Sequence, residues 1–123
     1  MKKVEWILRA GIFLTFIGHG SFAWQVRPSW LVYLTTVGFS VDQARLLMPM
    51  IGALDFLVAF AVLLRPVRLV LIWAVIWTFS TALIRPLAGL PLWDFVERGA
   101  NWAAPLALLM IRGWPKSARD LFK

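Results

Sequence analysis

The residues able to do chemistry are few, and most of them sit inside apolar runs. His19, the chain's one histidine, stands between Gly18 and Gly20 in the stretch FIGHGSFAW. A lone imidazole there can stay neutral and hydrogen-bond a neighbouring helix, or it can serve as a hydrogen-bonding or proton-relay group at a ligand head group. Metal or haem ligation is the weakest reading, because no cysteine and no second histidine complete a ligand set. The flanking glycines leave room for a neighbouring backbone or a ligand.

Arg9 and Asp55 make a second constellation. Arg9 lies near the start of the first apolar run and Asp55 near the middle of the second. If those runs are antiparallel helices, a rise of ~1.5 Å per residue brings the two to similar depth. The expectation is a buried ion pair joining two helices, with a proton-carrying or ligand-binding Asp55 as the alternative. A third group is Glu97 with Asn101, four residues apart and so on one helix face, beside Arg98. They read either as a solvated helix start or as the floor of a pocket. Arg45 and Arg85 end two stripes of every third or fourth residue, Arg45–Pro49–Gly52–Phe56 and Trp73–Trp77–Thr81–Arg85. Those stripes read as packing, with an arginine at one end that Glu97 can pair.

The elements that must position these groups follow from composition. Of 123 residues, 61% are hydrophobic, against about 45–50% in soluble domains. A chain this short has too little interior to hide that much apolar surface from water. The apolar residues fall into runs near the ~20 residues that cross a bilayer. The expected fold is all-α, a transmembrane four-helix bundle with spans at about 4–25, 41–64, 68–84 and 93–111. Ser40 and Gln43 have capping-box spacing at the start of the second span, and Asp94 and Glu97 repeat it at the fourth. Pro66 and Pro86, each preceded by arginine, are expected to end helices. Between the first two spans, residues 26–39 are expected to hold a short interfacial helix carrying Trp30 and Tyr33.

The net charge of +7 is a topology signal and not a nucleic-acid footprint, since the charges lie at the ends of apolar runs. Nine lysines and arginines fall on the side that carries both termini, and Arg27, Arg45, Arg85 and Arg98 fall on the other. The positive-inside rule then predicts a plasma (inner) membrane protein with cytoplasmic termini. The basic start, the apolar run and Ser21-Phe22-Ala23 imitate a cleavable signal, but Glu5 and Arg9 interrupt the pattern, so no cleavage is expected. On this topology His19, Arg45, Arg85, Glu97 and Asn101 gather in the outer half as a ligand-binding polar patch, with Trp77 and Trp102 lining an apolar tail.

The stretch LRAGIFLTFIGHGSFAW resembles the first span of DoxX-like membrane proteins, through Leu8, Arg9, Gly11, Phe13, His19 and Gly20. The lysine that follows His-Gly in that family is absent, and Ala23 stands near its place. VGFSVDQA leading into MIGALDFLVAFAVLLRP is similar to the family's second span, with Asp55 where a glutamate is usual. The likeness covers about residues 7–84. It implies a four-helix bundle associated with membrane redox complexes, among them a quinone-reducing thiosulfate oxidoreductase. The expected function is an accessory, quinone- or lipid-interacting subunit of such a complex, in the bilayer with larger protein partners or as a homo-oligomer. A purely structural helical subunit and a proton- or cation-coupled transporter or pore using Asp55 are the alternatives. No nucleophile–base pair or phosphate loop is visible, so no stand-alone catalysis is expected. The chain holds no cofactor of its own on this reading, and redox chemistry would come from a bound quinone.

Overall fold

The computed structural model describes residues 1–123 and is helical throughout. Helix α1 runs Lys2–Trp24, and a 3-10 turn at Pro28–Trp30 leads into the short α2, Leu31–Thr36. Helix α3 is Val41–Leu64, α4 is Arg68–Leu87, α5 is Leu92–Val96 and α6 is Gly99–Arg112, followed by a 3-10 turn at Ala118–Phe122. Helices α1, α3 and α4 are each long and apolar enough to cross a membrane.

Local chemistry sets the boundaries. The Ser40 hydroxyl accepts from the Gln43 backbone N–H at 3.1 Å, and the Gln43 side-chain oxygen Oε1 accepts from the Ser40 backbone N–H at 3.0 Å. This capping box satisfies donors that the first turn of α3 would otherwise leave unpaired. Pro66 stops α3 at Leu64, as its spacing predicts. Pro86 does not stop α4, which continues to Leu87. So near a C-terminus a proline forfeits one hydrogen bond, and Gly89 N–H to Pro86 O and Leu90 N–H to Arg85 O close the end. Asp94 lies in the first turn of α5 but caps nothing.

The expected fourth span is broken rather than continuous. Helix α5 ends at Val96 and α6 restarts at Gly99. At the break the Arg98 guanidinium donates to Asp94 O at 2.7 Å and to Glu97 Oε1 at 2.8 Å. That side chain satisfies a carbonyl freed by the interruption, and glycine is a poor continuation of a helix. Helix α6 alone rises only ~21 Å, less than a bilayer's ~30 Å core.

Helices α1 and α3 run antiparallel in close contact, and α4 packs chiefly on α5 and α6. Ile12 and Phe16 of α1, Val58, Ala59 and Val62 of α3, Leu71 and Ala74 of α4, and Leu108 and Leu109 of α6 form one buried core. That core fills the half of the molecule where α3 turns into α4. A Glu5–Arg112 ion pair of 3.0 Å ties α1 to α6 at the same end.

Candidate functional site

In the other half, α3 and α4 separate and leave a cavity of about 410 Å³ between them. His19 and Ala23 of α1, Met48, Ile51 and Asp55 of α3, and Trp77, Thr81, Ile84 and Arg85 of α4 line it. Helix α2 and its approach close it with Trp30, Tyr33 and Leu34. The volume lies within the ~300–1,000 Å³ range of small-molecule pockets, and the wall is mostly apolar with a few polar groups, as such pockets are.

Each polar group is held by its helix. Arg85, only 7% exposed, donates from Nη1 to the Tyr33 hydroxyl at 2.8 Å. Its guanidinium carbon lies 5.0 Å from the Tyr33 ring centre and 5.8 Å from that of Trp30, within cation–π reach. Its Nε–H is buried without a partner. The His19 ring meets Trp30 edge-on, with centroids 5.7 Å apart and planes at 90°. The Arg85–Tyr33 hydrogen bond ties α2 to α4, Trp30 ties the turn before it to His19 of α1, and α2 lies as a lid over the cavity, packed on α3 and α4.

Asp55 is 2% exposed, and its Oδ1 has no hydrogen-bond partner. The expected pair with Arg9 does not form. Arg9 donates from Nε to Val62 O at 3.2 Å and from Nη2 to Leu63 O, and its guanidinium carbon lies 3.7 Å from the Trp6 ring centre. The reason is register. Asp55 is level with Gly20 of α1, where an added Cβ would stand 3.1 Å from the Asp55 Cβ. Arg9 lies eleven residues earlier, or ~16 Å along the helix, and instead caps the unpaired carbonyls at the end of α3.

Of the expected polar patch, His19, Trp77 and Arg85 come together at the cavity, and Asp55 joins them. Arg45 does not: it is exposed on α3, away from the cavity wall. Glu97, Asn101 and Trp102 do not either. Helices α5 and α6 pack on the opposite face of α4, where Phe79 meets Phe95 and Trp102 edge-on at 5.5 and 5.8 Å. Helix α4 therefore stands between them and the cavity, and Glu97 pairs with Arg98 rather than with Arg45 or Arg85. Trp73 stacks on Trp77 at 5.4 Å but lies outside the cavity lining.

Trp30, Tyr33 and Leu34 also line the cavity, and the sequence pattern did not mark them as site residues. The available signal was the spacing of Trp30 and Tyr33, three apart and so on one face of a short helix, which packs on α3 and α4. No protein-family model, curated protein or solved structure matches this chain.

Proposed function

We propose that this chain is a small multi-pass membrane protein that binds a ring-headed amphiphile, a quinone or a lipid-like molecule, and acts as an accessory subunit of a membrane redox complex. The supporting observation is the cavity, an apolar chamber of about 410 Å³ in which His19, Asp55, Tyr33 and Arg85 supply the polar contacts. The residues fit a quinone: Arg85 offers a donor to a ring oxygen, Trp30 and Trp77 offer flat faces, and Ile51 and Ile84 offer tail contacts. The bound quinone would supply the redox chemistry, while the chain orients it and shields it from lipid and water.

The topology proposed with it is a four-helix bundle of the DoxX-like kind. Helices α5 and α6 make the fourth crossing together, since residues 92–112 rise ~31 Å if followed end to end. Both termini face the cytoplasm, which puts the α2 lid and the cavity in the outer half of the plasma membrane. A second reading, proton or cation passage by way of Asp55, has the unpaired Oδ1 in its favour. The packed core beneath the cavity argues against a through-path.

The experiment is binding of a short-tailed benzoquinone to the purified protein in lipid nanodiscs, followed by titration calorimetry. Saturable binding that weakens about tenfold or more in His19→Ala supports the reading. Equal binding by wild type and His19→Ala, or none by wild type, ends it.

A further inference from the structure

On the outside of the packed core, α3 and α4 leave a surface trough between them that shares no residue with the cavity. One part, of about 410 Å³, is bounded by Leu54, Leu57 and Trp73. The other, of about 430 Å³, is bounded by Phe60, Arg65 and Phe122. Ala61 and Val70 line both parts and join them. Leu54 and Arg65 are eleven residues apart on α3, or ~16 Å at helical rise. That matches the ~15 Å of hydrocarbon in one leaflet of a ~30 Å bilayer core.

The two ends differ in character. The Leu54 end is wholly apolar. The other end carries the exposed Arg65, with Arg119 and Lys123 exposed beside Phe122 in the chain. Arg65 donates from Nη2 to Phe122 O at 3.3 Å, which keeps its guanidinium at the mouth of the trough. No carboxylate pairs with Arg65 or Arg119. This end of the molecule holds nine lysines and arginines and only two acids, Glu5 and Asp120. Both acids are engaged, Glu5 by Arg112 at 3.0 Å and Asp120 by the Lys116 backbone N–H at 2.9 Å.

We propose that the trough seats an anionic phospholipid, with an acyl chain between α3 and α4 and the phosphate on Arg65. The site is separate from the chamber of His19 and Arg85, and shares with the proposed function only the placement of the chain in a membrane. A guanidinium fork can hold two phosphate oxygens at once, and Arg65 gives up no ion pair to do so. Phosphatidylcholine carries the same phosphate but brings a fixed ammonium toward Arg119 and Lys123, where like charges repel. A free anion would meet the arginine and gain nothing from the apolar wall. A second copy inserted the same way up would set its own basic end against this one.

The test is native mass spectrometry of the full chain in detergent, titrated with phosphatidylglycerol and with phosphatidylcholine of the same acyl chains. The wild type is expected to hold one phosphatidylglycerol at least about fivefold more tightly than phosphatidylcholine. Arg65→Gln is expected to bring that ratio close to unity. Ala61→Leu, which fills the trough where its two parts join, is expected to weaken both lipids. Lys3→Gln removes a charge from the same end but outside the trough, and is expected to keep the ratio. No binding, equal affinities or a preference for phosphatidylcholine in the wild type overturns the proposal. So does an unchanged ratio in Arg65→Gln, or a loss in Lys3→Gln as large as in Arg65→Gln, which would mark diffuse surface charge. Undiminished binding by Ala61→Leu places the acyl chain elsewhere and overturns it too. Arg65 is exposed, so the wild type and Arg65→Gln decide the matter even if Ala61→Leu does not fold.

Discussion

Gly52 of α3 and Trp24 of α1 are in backbone contact: a Cβ added to Gly52 would stand 2.7 Å from the Trp24 backbone nitrogen and 2.8 Å from Gly20 O. Both obstacles are main chain, so neither can swing aside. This contact brings α1 and α3 close and sets the register that places Gly20 opposite Asp55. Gly52→Ala is expected to lower stability by about 1–3 kcal/mol, because overpacking against a rigid backbone outweighs the better helix propensity of alanine. Gly18→Ala, where an added Cβ meets nothing within 4 Å, is expected to be neutral or slightly stabilising. Thermal unfolding of the detergent-solubilised variants separates the two.

Val26 carries a strained backbone. Its φ is +54°, a left-handed conformation that costs a β-branched residue roughly 1–2 kcal/mol. It closes α1 in a Schellman motif, with Val26 N–H bonded to Ala23 O and Arg27 N–H to Phe22 O. The same motif ends α2 and α4, and there Gly38 and Gly89 hold the left-handed position without strain. Val26→Gly is expected to raise stability by a few tenths to about 1 kcal/mol, the relief being partly offset by glycine's greater chain entropy. A lowered melting temperature would refute it.

Arg9 and Asp55 act independently. Arg9→Met removes two hydrogen bonds to the end of α3 and the stacking on Trp6, and is expected to cost about 1–2 kcal/mol. Combined with Asp55→Asn, the effects are expected to add within about 0.5 kcal/mol. A coupling energy above about 1 kcal/mol in the double-mutant cycle would show a pair that the geometry excludes.

Arg68 holds the end of the chain. Its Nε donates to Gly113 O at 2.6 Å, Nη2 to Arg112 O and Nη1 to Lys123 O at 3.1 Å. One planar fork thus caps α6 and pins the last residues, a geometry that a lysine's single ammonium cannot reproduce. Both Arg68→Ala and Arg68→Lys are expected to expose the segment after Gly113 to protease at least severalfold faster than in the wild type. Limited proteolysis with mass spectrometry reads the cut sites.

Asp120 ties the same segment to pH. The Lys116 backbone N–H donates to its carboxylate at 2.9 Å and, with Lys123 and Arg68 nearby, holds its pKa below the usual carboxylate value. A folded pKa below the unfolded one stabilises the segment above the ordinary aspartate range, and that contribution disappears as pH falls through the lowered value. Protease sensitivity after Gly113 is therefore expected to be constant near neutral pH and to rise as the solution is acidified below about pH 4. Asp120→Asn should abolish the rise.

Several features could be read from the chain because they depend on neighbours in sequence. The capping box at Ser40 and Gln43, the stop before Pro66 and the short helix carrying Tyr33 all follow from residues within a turn of one another. The Trp73–Trp77–Thr81–Arg85 stripe was visible for the same reason but read as packing; Trp77, Thr81 and Arg85 line the cavity and Trp73 does not. Pro86 misled because a proline signal carries no information about how near the helix already is to its end. Arg9 misled because depth estimated from residue count ignores how far one helix slides along another. That slide is set at Gly52 and Trp24, and nothing in the local pattern of either run announces it.

Composition and periodicity alone determined that the chain is helical and where most of its long helices begin; they pointed to four spans, whereas three helices are long and apolar enough to cross a membrane. These properties are sums over adjacent residues, so they survive without knowledge of the partners. Only the tertiary structure decided which polar residues meet. Helix α4 faces the cavity with one side and α5 and α6 with the other, so His19, Asp55 and Arg85 share a chamber while Arg45, Glu97, Asn101 and Trp102 stay outside it. Which face of a helix meets which neighbour depends on rotation and register against that neighbour, and a period of 3.6 residues defines the faces without assigning them.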